Sequence, residues 1–212
     1  DNTMVTTHSV TLTGLTTGTT YYYRVTSADA QSLSATSPAL PNPAASFIPS
    51  VPAPPRSIWT SSTIPSQIDS NDSSAVEVGL KFRSDVAGYV TGVRFYKSAA
   101  NVGTHVGNLW TSSGVNLATV NFTGETASGW QQATFSTPVL ISANTTYVVS
   151  YFAPLGHYSD TESFFATTGV DAPPLHALQN GVDGPNGVYR YSGASGFPNA
   201  TYNSSNYWVD LV

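Results

Sequence analysis

The sequence predicts an all-β protein whose larger part, residues 57–212, folds as a jelly-roll-like two-sheet β-sandwich. Three observations carry this reading. Charged residues make up only 9% of the chain while Thr, Ser, Asn, Gly and Tyr abound, a balance that suits strands and turns better than helices. From Ser57 onward, short apolar/polar alternations recur between Gly, Asn, Ser and Pro punctuation, and no stretch shows helical periodicity. Eight or more strands at that spacing imply two sheets packed face to face. A chain of 212 residues with 40% apolar content can support such a core.

Taken in order, the first segment, HSVTLTGLTTGTTYYYRVTSADAQSLSATS, reads as strand, turn, strand, turn, strand. Alternation runs over His8–Leu12, a turn falls at Gly18, and a strand runs from Tyr21 to Ser27. Residues 1–36 resemble the last three strands of a fibronectin type III domain. The specific part is Leu15-Thr-Thr-Gly18-Thr-Thr-Tyr21, similar to that family's tyrosine corner, in which a Tyr hydroxyl bonds back to the backbone a few residues upstream. The resemblance covers only the later strands of such a domain, so one sheet's apolar face is expected to be uncovered. The piece reads as the remnant of a longer parent protein.

Residues 37–56, SPALPNPAASFIPSVPAPPR, hold seven of the chain's fourteen prolines. Such a run favours extended polyproline II and is expected to act as a semi-rigid linker.

Within residues 57–212 the predicted strands are Ala75–Phe82, Tyr89–Tyr96, Val106–Thr111, Val115–Phe122, Trp130–Phe135, Thr146–Phe152, Val188–Tyr191 and Tyr207–Val212. ISANTTYVVSY repeats the tyrosine-corner pattern, with Tyr147 in the place of Tyr21. Between Tyr151 and Tyr207 the chain is mostly loop, and loops that long in a compact domain are usually functional or disordered. Their aromatic content argues against disorder. The blocks SAVEVGLKFRSDVAGYVTGVRFYKSAANVGTHVGNLWTSSGVNLATVNFTGETASGWQQATF, YFAPLGHYS and NYWVDLV, in that order, resemble the bacterial family catalogued as domain of unknown function 4082. That resemblance implies a β-rich accessory module of large exported bacterial proteins, beside other domains of the parent chain, and it brings no catalytic residue set.

Several function classes are disfavoured by composition. The net charge is −5, and no run of Lys or Arg could neutralise a phosphate backbone, so nucleic acid is not an expected partner. No apolar run approaches the roughly 20 residues that cross a bilayer, so membrane insertion is not expected. No cysteine is present. His105, His157 and His176 are too widely spaced for a recognisable zinc motif. Asp160 and Glu162 suit a glycosidase by residue type alone, and two acids on one short loop are more often solvated. Activity as an enzyme is not expected.

Aromatic side chains supply the first candidate site. Trp110 and Trp130 fall in strands whose alternation points them inward with Phe95, Phe122 and Phe135. His157, Tyr158, Tyr191, Phe197 and Tyr202 instead sit at strand ends or in Gly/Pro/Asn-rich loops. There they either brace the loops or present ring faces to sugars, with Asp160, Arg190, Asn199 and Asn203 available to bond hydroxyls. The expected partner is a polysaccharide or cell-surface glycan, and the expected location is secreted or cell-surface. In NYWVDLV, Val209 and Leu211 mark the core side, which leaves Trp208 on the outer face or under a loop beside Asp210.

Oxygen ligands supply the second. Asp69, Asn71, Asp72 and Glu77 cluster before the first long strand, and with Asp210 on the last strand they could collect around a structural calcium. The alternative is a solvated turn.

Overall fold

The computed structural model describes residues 10, 12–29, 32–49 and 54–212. Parts of the expected His8–Leu12 strand and of the Pro-rich run, residues 50–53, lie outside the described residues. The chain divides into two compact units, Asp1–Pro54 and Pro55–Val212, and no helix occurs among the described residues.

The first unit holds β1 (Tyr21–Tyr23), β2 (Val25–Ala28), β3 (Ser34–Ser37) and β4 (Ala45–Phe47). Strands β2 and β3 form a hairpin, and β1 pairs with β4. The pairing of β4 corrects the linker reading of residues 37–56: Ala45–Phe47 is a strand, and Pro49 accepts the Gly18 N–H at 2.9 Å. A proline-rich run can still contribute a ladder where its non-proline residues supply the donors. Phe47 packs beside Tyr21 and Tyr23, with ring centroids 5.9 and 6.0 Å away. The tyrosine-corner bond is present, Thr16 N–H donating to the Tyr21 hydroxyl at 2.9 Å. Tyr22, Val25 and Leu33 stay exposed.

The second unit is a two-sheet antiparallel β-sandwich. Its strands are β5 (Val76–Ser84), β6 (Gly88–Lys97), β7 (Val106–Thr111), β8 (Asn116–Asn121), β9 (Gly129–Ile141), β10 (Tyr147–Ala153), β11 (Val170–Ala172), β12 (Leu175–Ala177), β13 (Val188–Tyr191), β14 (Ala200–Thr201) and β15 (Val209–Leu211). The larger sheet runs β11-β12-β5-β10-β7-β8, and β13, itself paired with β14, joins β5 on the edge that β12 also uses. The smaller sheet runs β15-β6-β9. The chain crosses repeatedly between the sheets, so the long strands bury one face against the other layer.

Alternation along β5 explains the layering. Val76, Val78, Leu80 and Phe82 enter the core, which places Glu77, Gly79, Lys81 and Arg83 on the outer face. The same period on β10 sends Tyr147, Val149, Tyr151 and Ala153 inward. Val93 and Phe95 of β6 meet them from the smaller sheet, and Phe95 stacks on Tyr151 at 3.9 Å. The second tyrosine corner also forms, Ser142 N–H donating to the Tyr147 hydroxyl at 3.1 Å.

Trp110 and Trp130 depart from the inward placement that alternation predicts. Leu109 and Trp110 are adjacent and cannot both face inward; Leu109 takes the core, and Trp110 joins Val148 and Val188 in a separate outer cluster. Trp130 is only partly buried at the margin of the main core. It lies across from Tyr96 on the smaller sheet, with its indole N–H donating to Thr63 O at 2.9 Å. Phe95, Phe122 and Phe135 are buried in the main core.

Candidate functional site

The loop that follows β10 is locked to the loop that precedes β5. Gly156 adopts a φ of +68°, and a side chain there would overlap the Asp72 carbonyl oxygen, so only glycine permits this approach. His157 N–H then donates to Asp72 O at 2.6 Å, and Ser70 N–H donates to Tyr158 O at 2.9 Å. Ser159 Oγ donates to Ile68 O at 2.6 Å. These bonds fix the backbone of residues 157–160 and aim Tyr158.

Strand β13 supplies two more rings. Its register sets Tyr189 opposite Val78 and Tyr191 opposite Val76, and both partners face the core, so both tyrosines share the sheet's inner face. Tyr207, which precedes β15, and Tyr202, which follows β14, complete a hollow of about 170 Å³ lined by Tyr158, Tyr189, Tyr191, Tyr202 and Tyr207. Tyr207 is buried, while Tyr191 and Tyr202 are 52% and 54% exposed. The rings meet steeply: Tyr158 and Tyr207 lie 5.6 Å apart at 75°, and Tyr189 and Tyr191 lie 5.4 Å apart at 68°.

Carboxylates surround this tyrosine hollow. The Tyr191 hydroxyl donates to Asp72 Oδ2, and Tyr158 reaches the same oxygen at 3.5 Å. Burial pulls the Asp72 carboxyl up, but the bonds from Tyr191 and Ser74 outweigh it and hold the group below its ordinary value. Burial also pushes the Tyr158 hydroxyl up to about 12. Asp69 pairs with His157 Nδ1 at 3.0 Å. Asp160 is 8% exposed and its Oδ1 is buried with no hydrogen-bond partner; burial, with Glu162 close by, pushes its carboxyl up to about 6.

A raised folded-state pKa means that this carboxyl stabilises the fold fully below about 3.8 and loses that contribution as the pH rises through about 6. Asp160→Asn is therefore expected to raise stability by about 1–2 kcal/mol at neutral pH and to flatten the wild-type decline across that window. Thermal melts at several pH values check this; an equal effect of the substitution at every pH would refute the assignment.

The structure brings together His157, Tyr158, Asp160, Tyr191 and Tyr202 with Asp69 and Asp72, uniting parts of both sequence-derived sites. It places the others apart. Phe197 packs its edge on Trp110 at 5.7 Å and braces its loop. Arg190 projects to the outer side of β13 beside Gly196, opposite Glu77 in register. Asn203 donates to Glu162 at 3.1 Å, and Asn199 is exposed.

The five oxygen ligands suggested for calcium are not gathered. Glu77 is fully buried under the loop after β13 and accepts from Ser150, Asn108 and Ser195. Asp210 is fully buried on the smaller sheet and accepts from the Ile58 and Trp59 backbone N–H groups. Each carboxylate already has its donors, and no group of three or more metal-ligating side chains occurs among the described residues.

The residues that sequence reasoning missed are Tyr189 and Tyr207, which share a lining with the exposed rings. Spacing offered one usable signal, because Tyr189 and Tyr191 lie two apart in a short strand and must share a face.

The family described as Domain of unknown function (DUF4082) matches residues 62–209. The chain belongs to this family. No curated protein and no solved structure matches the chain. The DUF4082 match spans nearly all of the second unit and includes every residue that lines the tyrosine hollow.

Proposed function

We propose that the DUF4082 domain is a non-catalytic accessory domain of an exported protein, and that it binds a polysaccharide or cell-surface glycan at the tyrosine hollow. The observation that carries this is the convergence of Tyr158, Tyr191 and Tyr202, from three separate loops or strand ends, with Tyr189 and Tyr207. Aromatic faces suit the C–H surfaces of sugars, and hydroxyls and carboxylates at the margin supply directional bonds. Two of the rings stay half exposed and so leave area for a ligand to cover. The fibronectin type III reading of the first unit belongs to the same proposal, supported by the Thr16–Tyr21 bond.

A structural or adhesive spacer is the second reading, favoured by Phe197, which braces its loop against Trp110. The test is a glycan-array screen with the full chain. Reproducible binding to a related set of glycans, competed by the free oligosaccharide, is expected; no binding across a broad panel would favour the spacer.

A further inference from the structure

We infer that the tyrosine hollow is an aromatic cage for an alkylammonium group, so that the ligand is a glycan bearing a protonated amine or a quaternary ammonium substituent. This rests on the glycan-binding reading for the carrier of the group.

Ring geometry is the first support. A sugar stacks on a flat aromatic face, whereas Tyr158, Tyr189, Tyr191 and Tyr207 meet one another at 68° to 75°. Rings set this steeply form walls around a compact volume instead of one flat platform, an arrangement that suits a rounded cation better than a sugar ring. The volume agrees. At about 170 Å³ the hollow is smaller than the roughly 300–1,000 Å³ of ordinary ligand pockets, and suits one substituent better than a run of sugar rings.

Charge is the second. The lining contains no Lys, Arg or His, and the nearby His157 is held by Asp69. Asp72 accepts from two of the lining hydroxyls, and a phenol that donates to a carboxylate carries more electron density on its ring. Asp160 acts electrostatically on both Tyr158 and Tyr207, yet its buried Oδ1 has no hydrogen-bond partner. A neutral ligand leaves that charge uncompensated. An ammonium group in the hollow compensates it through space while the ring faces replace its hydration.

The test titrates the full chain by calorimetry at neutral pH, where Asp160 is ionised, with four probes: choline, its neutral isostere 3,3-dimethylbutan-1-ol, a glucosamine tetramer, and the N-acetylglucosamine tetramer. At least one cationic probe is expected to bind roughly tenfold tighter than its neutral counterpart, and which one separates a quaternary substituent from an amino sugar. Tyr202→Ala, at a half-exposed ring, is expected to weaken that binding about fivefold with little change in melting temperature. Equal binding of cationic and neutral probes, or glycan-array binding with neither cation bound, overturns the cage and leaves the glycan reading standing. Failure of every probe and of the array overturns both.

Discussion

Asp210→Ala is expected to destabilise the second unit by about 3–5 kcal/mol, a fall of about 10 °C or more in melting temperature. Asp210 is fully buried on β15 and accepts three backbone N–H bonds, from Ile58 at 2.9 Å, Trp59 at 3.2 Å and Leu211 at 2.8 Å. Arg94 lies across from it in register, with Nε 3.6 Å from its carboxylate. Burial pushes the Asp210 carboxyl up to about 6 despite Arg94. Burial likewise lowers the Arg94 pKa, so desolvation outweighs mutual attraction in both partners. Removing the carboxylate leaves three donors without an acceptor and a buried guanidinium without its counter-charge. Residues 57–59, which carry Trp59 against Trp130 and Trp208, lose both bonds to Asp210 and keep the Ser57 Oγ bond to Leu211 O. Asp210→Asn keeps the acceptor oxygen and is expected to lose less. Chemical denaturation of both variants checks the order; a loss under about 1 kcal/mol for alanine would show that residues 57–59 do not depend on this side chain.

Glu77→Ala is expected to cost about 2–4 kcal/mol and to release the loop that follows β13. Ser150 Oγ at 2.5 Å and Asn108 Nδ2 at 2.9 Å donate to one carboxylate oxygen, while Ser195 Oγ at 2.8 Å and Gly196 N–H at 3.3 Å donate to the other. The last two come from the loop itself, so Glu77 pins the backbone that carries Phe197 onto Trp110. Hydrogen exchange is expected to rise over residues 192–199 in the variant, and unchanged exchange there would contradict this role. Burial raises the pKa of Glu77 above its ordinary value even against these donors. Its contribution is thus complete below the ordinary carboxylate range and declines as the pH rises through the folded-state pKa. Glu77→Gln, neutral at every pH, is expected to gain on the wild type as the pH rises.

The long strands β5, β6, β7 and β10 announce themselves in the sequence by alternation, and with them the sandwich. Strands β11, β12 and β14 have three, three and two residues, too few for a period, and form because β5 and β13 offer unpaired edges. Strand β9 continues past Phe135 through Pro138, where a proline normally argues against a strand; the register break between Val90 and Gly92 accommodates it. The meeting of Tyr158, Tyr191 and Tyr202 in one place is not encoded in their spacing, because two of the three are positioned by loop contacts. Asp69 and Asp72 carry the pattern of metal ligands, whereas they hold His157 and the tyrosine hydroxyls. Acid-rich turns have the same signature in both roles. Glu77 gives no sign of burial in the sequence, since an acid between valines on an alternating strand reads as solvated until a loop covers it.

Glycan binding at the tyrosine hollow is tested most directly by comparing the full chain with its Tyr191→Ala/Tyr202→Ala variant, in titrations with whichever glycan the array selects. Both rings are more than half exposed, so the variant is expected to melt within about 2 °C of the wild type. A loss of affinity of about tenfold or more is the expected result. Unchanged affinity in a folded variant would contradict it, and would move the binding surface away from the tyrosine hollow.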